Sequence, residues 1–374
     1  MKVLLAGGGT GGHINPALAI ANEIKKNNKD AEILFAGTPF GMEATLIPRA
    51  GYNFAPIKVA GIQRKLTPYN IYRNIKALWY LLFAGMRAKK IIKGFSPDIV
   101  IGTGGYVSGP IVRTAAKMGI KTAIHEQNAF PGVTTKLLSK DVNVVMLAFE
   151  KAKEYLPENA NWIVTGNPVR EEIILKRKED SKKALNLDDK PCVLSFGGSL
   201  GAETINRLAA EIIEWDNKEE SFNFIHATGK YGVDFVPELL KAKGIDHKKL
   251  SDSIRVTEYI HNMDECMSAA DLVISRAGAI TLSELMAAGK GAILIPSPNV
   301  AENHQYHNAM ELQNKGAAYV FEEKNINFGE IKAKIEELIK SPEKLKELST
   351  NASKGAIVDA NQRIYKIISD LLKN

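Results

Sequence analysis

The sequence is poor in cysteine and has no long apolar run, and both features restrict what the chain can be. Its 374 residues include two cysteines, Cys192 and Cys266, and neither lies in a Cys-x-x-Cys motif or a Cys/His cluster. A disulfide framework and a zinc site are therefore not expected. The first residues lack the pattern of a secretory signal, and the last residues lack a lipidation motif. These features favour a cytosolic protein.

Motifs that would assign a common nucleotide site are also missing. The glycine-rich stretch Gly7–His13 ends in histidine where a P-loop has lysine. The strand-like run Ile33–Ala36 ends without the acidic residue that binds the ribose of NAD. No two aspartates stand two positions apart, so the Asp-x-Asp pair that often holds magnesium in sugar transferases is absent. The sequence therefore predicts no cofactor and no bound metal.

The charge balance is basic, with a formal net charge of +7 and a pI near 9.1. Such a balance indicates a polyanionic partner, which can be nucleic acid, anionic lipid or a diphosphate. The sequence contains no RNP-type aromatic strand, zinc finger or helix-turn-helix, so nucleic acid is the least favoured of the three.

Strand-like runs alternate with helical stretches, which is typical of parallel sheets covered by helices on both faces. The strand-like runs are Val3–Ala6, Ile33–Ala36, Ile99–Ile101, Thr122–Ile124, Val142–Met146, Cys192–Phe196, Phe222–Ala227, Ile254–Thr257, Leu272–Ile274 and Ala292–Ile295. The second set repeats the plan of the first, and Gly166-Asn167-Pro168 is a turn signal between them. The sequence therefore predicts an α/β chain of two doubly wound domains, residues 1–165 and 166–354, with a C-terminal helix at about 355–374 packing back on the first domain.

Glycine-rich and polar loops follow several of these strands. Gly7–His13 is followed by Asn15-Pro16, an N-cap and first-turn pair that predicts the start of a helix there. Gly102–Tyr106, His125–Asn128 and Gly197–Gly201 follow three further strands. Because ligands bind at the carboxyl ends of parallel strands, we expect these loops to line a cleft between the domains.

Several polar residues could neutralise a diphosphate without a metal, since backbone N–H groups, helix N-termini and arginine all stabilise such an anion. Ser199, Thr281 and Arg170 are candidates, and Glu284 could accept hydrogen bonds from a ribose. Each also has an ordinary structural explanation. Ser199 can be an N-cap and Thr281 a first-turn residue. Arg170 can be a surface charge, and Glu284 a favourable charge near a helix N-terminus. The residues alone leave both explanations open.

Taken together, motifs along nearly the whole chain resemble the MurG family of transferases. They are Gly8–His13, Gly102–Tyr106, His125–Asn128, Thr165–Arg170, Gly197–Ala202, Arg276–Glu284 and His304-Gln305. The resemblance implies a GT-B fold of two Rossmann-like domains. It also implies inverting transfer of N-acetylglucosamine from UDP-N-acetylglucosamine to an undecaprenyl-diphosphate-linked muramoyl-pentapeptide, an intermediate of peptidoglycan synthesis.

The resemblance assigns the chemistry to the first domain. It implies that His13 is the general base on the acceptor hydroxyl, with His125 and Glu126 as polar support or as rivals for this role. The residues placed on the acceptor side are Gly104, Gly105 and Tyr106.

The resemblance places most of the donor contacts in the second domain. Ile260 would bind the uracil through its backbone, Glu284 the ribose, and Ser199 with Arg170 the diphosphate. The full set of implied donor contacts is Thr10, Gly11, Gly12, Asn128, Arg170, Ser199, Ile260, Ala279, Ile280, Thr281, Leu282, Ser283, Glu284 and Gln305.

The segment from Lys58 to Lys93 is basic and carries apolar residues at helical spacing. Its apolar run Ala77–Met86 is too short to span a bilayer. Such a helix can pack on a sheet or lie on a membrane surface. The lipid-anchored acceptor implied by the resemblance favours the membrane. The predicted patch is Ile75, Trp79, Leu82 and Phe83 with Lys136 and Lys140, on a peripheral protein at the cytoplasmic face of the plasma membrane.

Two other functions stay open. One is a GT-B transferase with a different glycolipid or a small-molecule acceptor, and the other is a non-catalytic nucleotide-binding scaffold. The expected partners are UDP-N-acetylglucosamine, the lipid-linked muramoyl-pentapeptide and an anionic membrane surface, without nucleic acid.

Overall fold

The computed structural model describes residues 1–61 and 67–373, without the side chains of residues 68, 70, 71, 73, 76, 78 and 81. The chain divides into two compact units. The N-terminal unit comprises Met1–Pro168 with Asp359–Asn374, and the C-terminal unit comprises Val169–Val358. The sequence predicted the change of domain after residue 165 and the return of the chain near residue 355.

Each unit is built on a parallel sheet, and the strands are named here in chain order. They are β1 (Lys2–Gly7), β2 (Glu32–Gly37), β3 (Asn53–Pro56), β4 (Ile99–Gly104), β5 (Lys121–Glu126), β6 (Val144–Leu147), β7 (Trp162–Val164), β8 (Cys192–Phe196), β9 (Asn223–Ala227), β10 (Ile254–Thr257), β11 (Leu272–Ser275), β12 (Gly291–Leu294) and β13 (Ala318–Val320).

The α-helices of the part described are likewise numbered along the chain. They are α1 (Gly11–Asn27), α2 (Glu43–Arg49), α3 (Pro68–Phe95), α4 (Gly105–Lys117), α5 (Val133–Leu138), α6 (Glu171–Leu175), α7 (Lys178–Ala184), α8 (Glu203–Glu219), α9 (Phe235–Ala242), α10 (Met263–Ala269), α11 (Ala279–Ala287), α12 (His304–Asn314), α13 (Phe328–Ile339), α14 (Pro342–Lys354) and α15 (Ala360–Lys373). None of these helices combines the length and apolarity needed to cross a membrane.

The strand orders confirm the predicted doubly wound plan. The N-terminal sheet has the order β3-β2-β1-β4-β5-β6-β7, and the C-terminal sheet has the order β10-β9-β8-β11-β12-β13. Both orders run outward from the first strand of the unit and then cross over to continue on its other side. Such a switch point is where ligands bind in open α/β sheets, and it lies beside β1 in one unit and β8 in the other.

The strands absent from the sequence prediction, β3, β7 and β13, all lie at sheet edges. Each has three or four residues, and β3 and β7 are largely exposed. An edge strand is covered less than a central one, so it needs no continuous apolar run and leaves a weak signal.

The buried side chains of the N-terminal sheet alternate between its two faces. Val3 and Leu5 on β1 pack in one core, while Leu4 and Ala6 pack in the other. Helices α1 and α15 cover the first face, and Ile364 and Ile368 of α15 belong to its core. The C-terminal helix therefore completes the N-terminal unit. In the C-terminal unit, the inner strands β8, β9, β11 and β12 are likewise almost wholly buried.

Helix α1 begins earlier than the sequence predicted. Asn15-Pro16 lies inside the helix, which starts at Gly11 with Thr10 as the N-cap residue. The N–H groups of His13 and Ile14 both donate to the carbonyl oxygen of Thr10. As a result, His13 belongs to the first turn of α1.

Candidate active site

The first glycine loop presents His13 at the carboxyl end of β1. His13 is half-buried, and its carbonyl oxygen accepts a hydrogen bond from Thr103 Oγ1 at 2.8 Å. Its ring lies against Gly104, where an added Cβ would come within 2.5 Å of His13 Nδ1. Gly104 also has φ of +105°, which glycine adopts without strain. Only glycine therefore leaves room for the His13 ring at this position.

A chain of contacts joins His13 to the end of β5. His13 Nδ1 lies 3.3 Å from Gln127 Oε1, and Gln127 Nε2 lies 3.0 Å from His125 Nδ1. On its other side, His125 Nε2 lies 3.0 Å from the carbonyl oxygen of Gly166. His125 is fully buried, and burial lowers its pKa more than Gly166 and the Glu126 carboxylate raise it. His125 is therefore a neutral imidazole inside the fold.

The Glu126 side chain stabilises the loop that follows β5. Its Oε1 accepts hydrogen bonds from the backbone and side-chain nitrogens of Asn128, at 3.0 and 3.1 Å. Its Oε2 accepts from the backbone of Gly132 at 3.0 Å and from Thr135 Oγ1. The residue is buried, with 4% of its surface exposed. Both oxygens are thus used to hold the loop that leads into α5.

The remaining residues predicted on the acceptor side belong to the start of α4. Gly104 is the N-cap residue of α4, and Gly105 packs against the carbonyl oxygen of Gly8. Tyr106 is exposed, and its ring lies against Gly61. The loops after β1 and β4 therefore touch. Thr10 lies in the loop after β1, and Gly11 and Gly12 follow it at the start of α1.

Two residues of the N-terminal site were not singled out from the sequence. Gln127 was quoted within a motif but given no role, although it connects His13 to His125. Glu43 is fully buried, and its carboxylate accepts from the backbone of Gly9 at 3.0 Å. The same carboxylate accepts from the backbone and hydroxyl of Thr38, at 2.9 and 2.6 Å. A glutamate shortly after a second strand has no pattern that reveals such a contact.

In the C-terminal unit, the loop after β8 forms a tight turn. The N–H of Gly201 donates to the carbonyl oxygen of Gly198 at 2.9 Å, and both glycines have positive φ. Ser199 lies exposed within this turn, at the carboxyl end of β8 and before α8. A loop of this kind presents backbone N–H groups to an anion.

Arg170 and Glu284 form an ion pair. Arg170 Nε donates to Glu284 Oε1 at 2.8 Å. Burial raises the pKa of the Glu284 carboxyl, and the bond and charge of Arg170 offset only part of this. Burial lowers the pKa of the Arg170 guanidinium, but Glu284, together with the charges of Tyr259 and Asp264, raises it by more. The pair uses one atom on each side, so Glu284 Oε2 and the terminal nitrogens of Arg170 lie outside it.

The other predicted donor residues follow neighbouring strands of the same sheet. Helix α11 begins at Ala279 after β11, and its first turns carry Ile280, Thr281, Leu282, Ser283 and Glu284. Ile260 is buried after β10. Gln305 lies in the first turn of α12, where its Oε1 accepts from the backbone of Ser297 at 2.9 Å. All of these elements follow the carboxyl ends of strands in the C-terminal sheet.

Helix α3 has two different apolar faces. One face is buried in the N-terminal core and consists of Ala77, Ala84, Ala88 and Ile92. The other is exposed and consists of Tyr72, Ile75, Trp79, Leu82 and Met86, spaced three or four residues apart. Trp79 is 59% exposed and Leu82 is 73% exposed. Phe83 is half-buried, and its ring packs at a tilt against that of Trp79, with the ring centroids 5.1 Å apart.

The two lysines predicted for the membrane patch lie on helix α5 and just after it. Lys136 is half-buried, and its ammonium lies 3.7 Å from the centre of the Phe130 ring. Lys140 is exposed just beyond the helix, and Val133 and Leu137 on α5 are exposed as well.

Comparison with known families agrees with this geometry. The glycosyltransferase family 28 N-terminal domain matches residues 3–147, and the glycosyltransferase family 28 C-terminal domain matches residues 192–364. Among solved structures, MurG of Acinetobacter baumannii has a TM-score of 0.77 and 29% identity, with 99% of each chain covered. A calicheamicin glycosyltransferase has a TM-score of 0.70 at 14% identity, which shows a shared fold.

Curated relatives match over the full length. A protein of Acetivibrio thermocellus is 46% identical over 100% of this chain and 99% of its own length. One of Bacillus cereus is 42% identical, with both chains covered completely. Both bear the name UDP-N-acetylglucosamine–N-acetylmuramyl-(pentapeptide) pyrophosphoryl-undecaprenol N-acetylglucosamine transferase. The chain therefore belongs to glycosyltransferase family 28 and, within it, to the MurG family of N-acetylglucosaminyltransferases.

Proposed function

We propose that this chain transfers N-acetylglucosamine from UDP-N-acetylglucosamine to undecaprenyl-diphosphate-linked N-acetylmuramoyl-pentapeptide. The observation that carries the proposal is the match along the full length to transferases of that name. The product is the lipid-linked disaccharide from which peptidoglycan is built. The sugar inverts its anomeric configuration because a single displacement carries it from donor to acceptor.

The donor is bound mainly by the C-terminal unit. Ser199 and the turn around it bind the diphosphate. The N-terminus of α11 also binds it, because its N–H groups stabilise negative charge. Arg170 supplies a positive charge next to the same helix. Glu284 has one carboxylate oxygen beyond its ion pair with which to accept the ribose hydroxyls. Ile260 binds the uracil through its backbone, and Gln305 also contacts the donor.

His13 is the general base. The acceptor hydroxyl gives its proton to His13 while its oxygen forms a bond to the anomeric carbon, and the bond from that carbon to the diphosphate breaks. UDP leaves with the bonding electron pair, and the backbone N–H groups, α11 and Arg170 stabilise its charge. His125 and Glu126 are less suited to this role, because their nitrogens and oxygens are occupied by hydrogen bonds inside the fold.

The protein works as a peripheral protein at the cytoplasmic face of the plasma membrane. The exposed stripe Tyr72–Met86 on α3 has the spacing and exposure of a helix that lies on a bilayer. A groove of about 650 Å³ flanks the later turns of α3, and its lining includes Lys58, Arg87 and Lys90. These cations favour anionic head groups beside the apolar stripe.

The test is release of UDP and transfer of labelled sugar by the purified full-length chain. We expect transfer to a prenyl-diphosphate muramoyl-pentapeptide in detergent or vesicles, and none to small aglycones. The variant His13→Ala serves as the control for chemistry, since its donor Kd should stay within about threefold while kcat falls about 100-fold. Transfer only to a small aglycone would support a different GT-B transferase. Donor binding without UDP release would support a nucleotide-binding scaffold.

A further inference from the structure

The orientation of the Gln127 side chain follows from one contact. Gln127 Nε2 lies 2.8 Å from the backbone carbonyl oxygen of His125, which can only accept a hydrogen bond. The amide nitrogen must therefore face His125, since the reversed amide would place two oxygens against each other. The same nitrogen has a second hydrogen to donate to His125 Nδ1 at 3.0 Å. Gln127 Oε1 is then the atom that faces His13.

The protonation of His125 agrees with this orientation. The carbonyl oxygen of Gly166 accepts from His125 Nε2, so Nε2 carries the proton. Because His125 is neutral in its buried position, its Nδ1 has a lone pair and accepts the hydrogen of Gln127 Nε2. Each contact from Gly166 to Gln127 thus has one possible direction.

We propose that Gln127, oriented by His125, is a positioning residue that holds neutral His13 with its proton on Nδ1 and leaves Nε2 as the proton acceptor. Gln127 Oε1 can only accept, so the contact of 3.3 Å requires a hydrogen on His13 Nδ1. A histidine protonated on Nδ1 keeps its lone pair on Nε2, at the far side of the ring. The contacts from Gly166 through His125 and Gln127 to His13 are called the relay here. The relay selects the tautomer that general base catalysis needs, a role that rests on the proposed function of His13.

The ionisable groups around the first glycine loop have other partners in the N-terminal unit. Glu43 on α2 is bound to Gly9 and Thr38, and Glu126 on β5 is bound to Asn128, Gly132 and Thr135. His125 is bound on both ring nitrogens, and the Tyr106 ring on α4 lies against Gly61. His13 Nδ1 thus faces a neutral amide rather than a carboxylate. The amide oxygen can accept the Nδ1 hydrogen without adding a negative charge beside the ring.

Nitrogen NMR of the full chain labelled with ¹⁵N-histidine tests the tautomer directly. His13 signals are assigned by their loss in His13→Asn. We expect Nδ1 of neutral His13 to show the shift of a protonated nitrogen and Nε2 that of an unprotonated one. In Gln127→Met, which is similar in length and lacks the amide, we expect the two tautomers to become mixed. A wild-type His13 protonated on Nε2 would overturn the proposal.

Kinetics of three variants separate positioning from folding. Gln127→Met should lower kcat about 10- to 100-fold and leave the Kd of UDP nearly unchanged. Gln127→Glu restores an acceptor for His13 Nδ1, so it should recover part of kcat. Its carboxylate should also move the acid limb of the pH–rate profile up by about one pH unit or more. Gln362→Met is the matched control, because Gln362 is exposed on α15 of the same unit, and its kcat should match that of the wild type.

The outcomes separate the relay from the proposed function. Equal kcat values for Gln127→Met and Gln127→Glu, with an unmoved acid limb, would refute the relay. A wild-type chain that shows the Nδ1–H tautomer but transfers no sugar would leave the relay standing and remove the proposed function.

Discussion

Replacing Glu43 by alanine tests how much the first glycine loop depends on a single buried carboxylate. The change removes the acceptor of three hydrogen bonds, from Gly9 N, Thr38 N and Thr38 Oγ1. It also removes the contacts that Gly8, Gly37 and Gly41 make with the glutamate side chain. The glycine loop and the loop after β2 then lose the group that joins them.

The magnitude follows from these bonds. A buried donor left without a partner costs about 1–3 kcal/mol, and bonds to a charged group are at the upper end of the usual range. Gly9 is exposed and Thr38 is half-buried, so water can replace part of what is lost. We therefore expect Glu43→Ala to reduce the free energy of unfolding by about 3 kcal/mol, or to lower Tm by about 6–12 °C for a unit of this size.

The effect should depend on pH. Burial acts to raise the pKa of Glu43, but the hydrogen bonds from Thr38, from Gly9 and from its own backbone together lower it by more, to below its ordinary value of 4.5. A carboxyl whose pKa is lowered in the folded state stabilises the fold above its unfolded pKa. This contribution is fully present above about pH 4.5 and is lost as the pH falls through the lower folded-state pKa. Glu43→Gln, which cannot ionise, should lack this acid-dependent loss.

Thermal unfolding followed by circular dichroism at pH 7 and across pH 3–6 measures both effects. Glu32→Ala is the matched control, since Glu32 lies exposed at the start of β2 and should change the free energy of unfolding by less than about 0.5 kcal/mol. A Glu43→Ala variant that melts within 2 °C of the wild type would refute the reasoning. So would a Glu43→Gln variant with the same acid-dependent loss of stability as the wild type.

Three further variants test the site and the surface. Glu284→Ala should raise the Kd of UDP-N-acetylglucosamine, measured by calorimetry, at least about tenfold. The change removes a buried hydrogen-bond acceptor and the ion-pair partner of Arg170, and an unchanged Kd would contradict the donor assignment. Gly104→Ala should lower kcat by about tenfold or more with little change in the Kd of UDP, because its Cβ would displace the His13 ring, and a kcat within twofold of the wild type would contradict this. Trp79→Glu with Phe83→Glu should reduce sedimentation with anionic vesicles while circular dichroism stays the same, and unchanged sedimentation would argue against the α3 surface.

The central strands were predictable from the sequence because they are buried on both faces. The run Val3–Ala6 is apolar without interruption, since alternate residues fill different cores. The edge strand β7 was not predictable, because Trp162 and Ile163 are exposed there and the strand has three residues. Pairing with a neighbour, which the sequence does not display, decides whether such a segment is a strand.

The site was predictable in its location and less so in its connections. Glycine loops after strands indicated where His13 would lie, and the motif at His125–Asn128 indicated a second loop at the same end. The link between them depends on Gln127, which lies 114 residues from His13 in the sequence. Glu43 lies 34 residues from Gly9, with no spacing rule to connect them. Contacts of this kind depend on tertiary packing rather than on local pattern.

The return of α15 to the N-terminal unit affects the order in which the molecule can be assembled. Ile364 and Ile368 are synthesised after the whole of the C-terminal unit, yet they fill the same core as Val3 and Leu5. The C-terminal unit is one continuous segment, Val169–Val358, and can close its own core while the chain is still being made. The N-terminal sheet, which is synthesised before the C-terminal unit, must therefore keep an apolar face uncovered until α15 has been made.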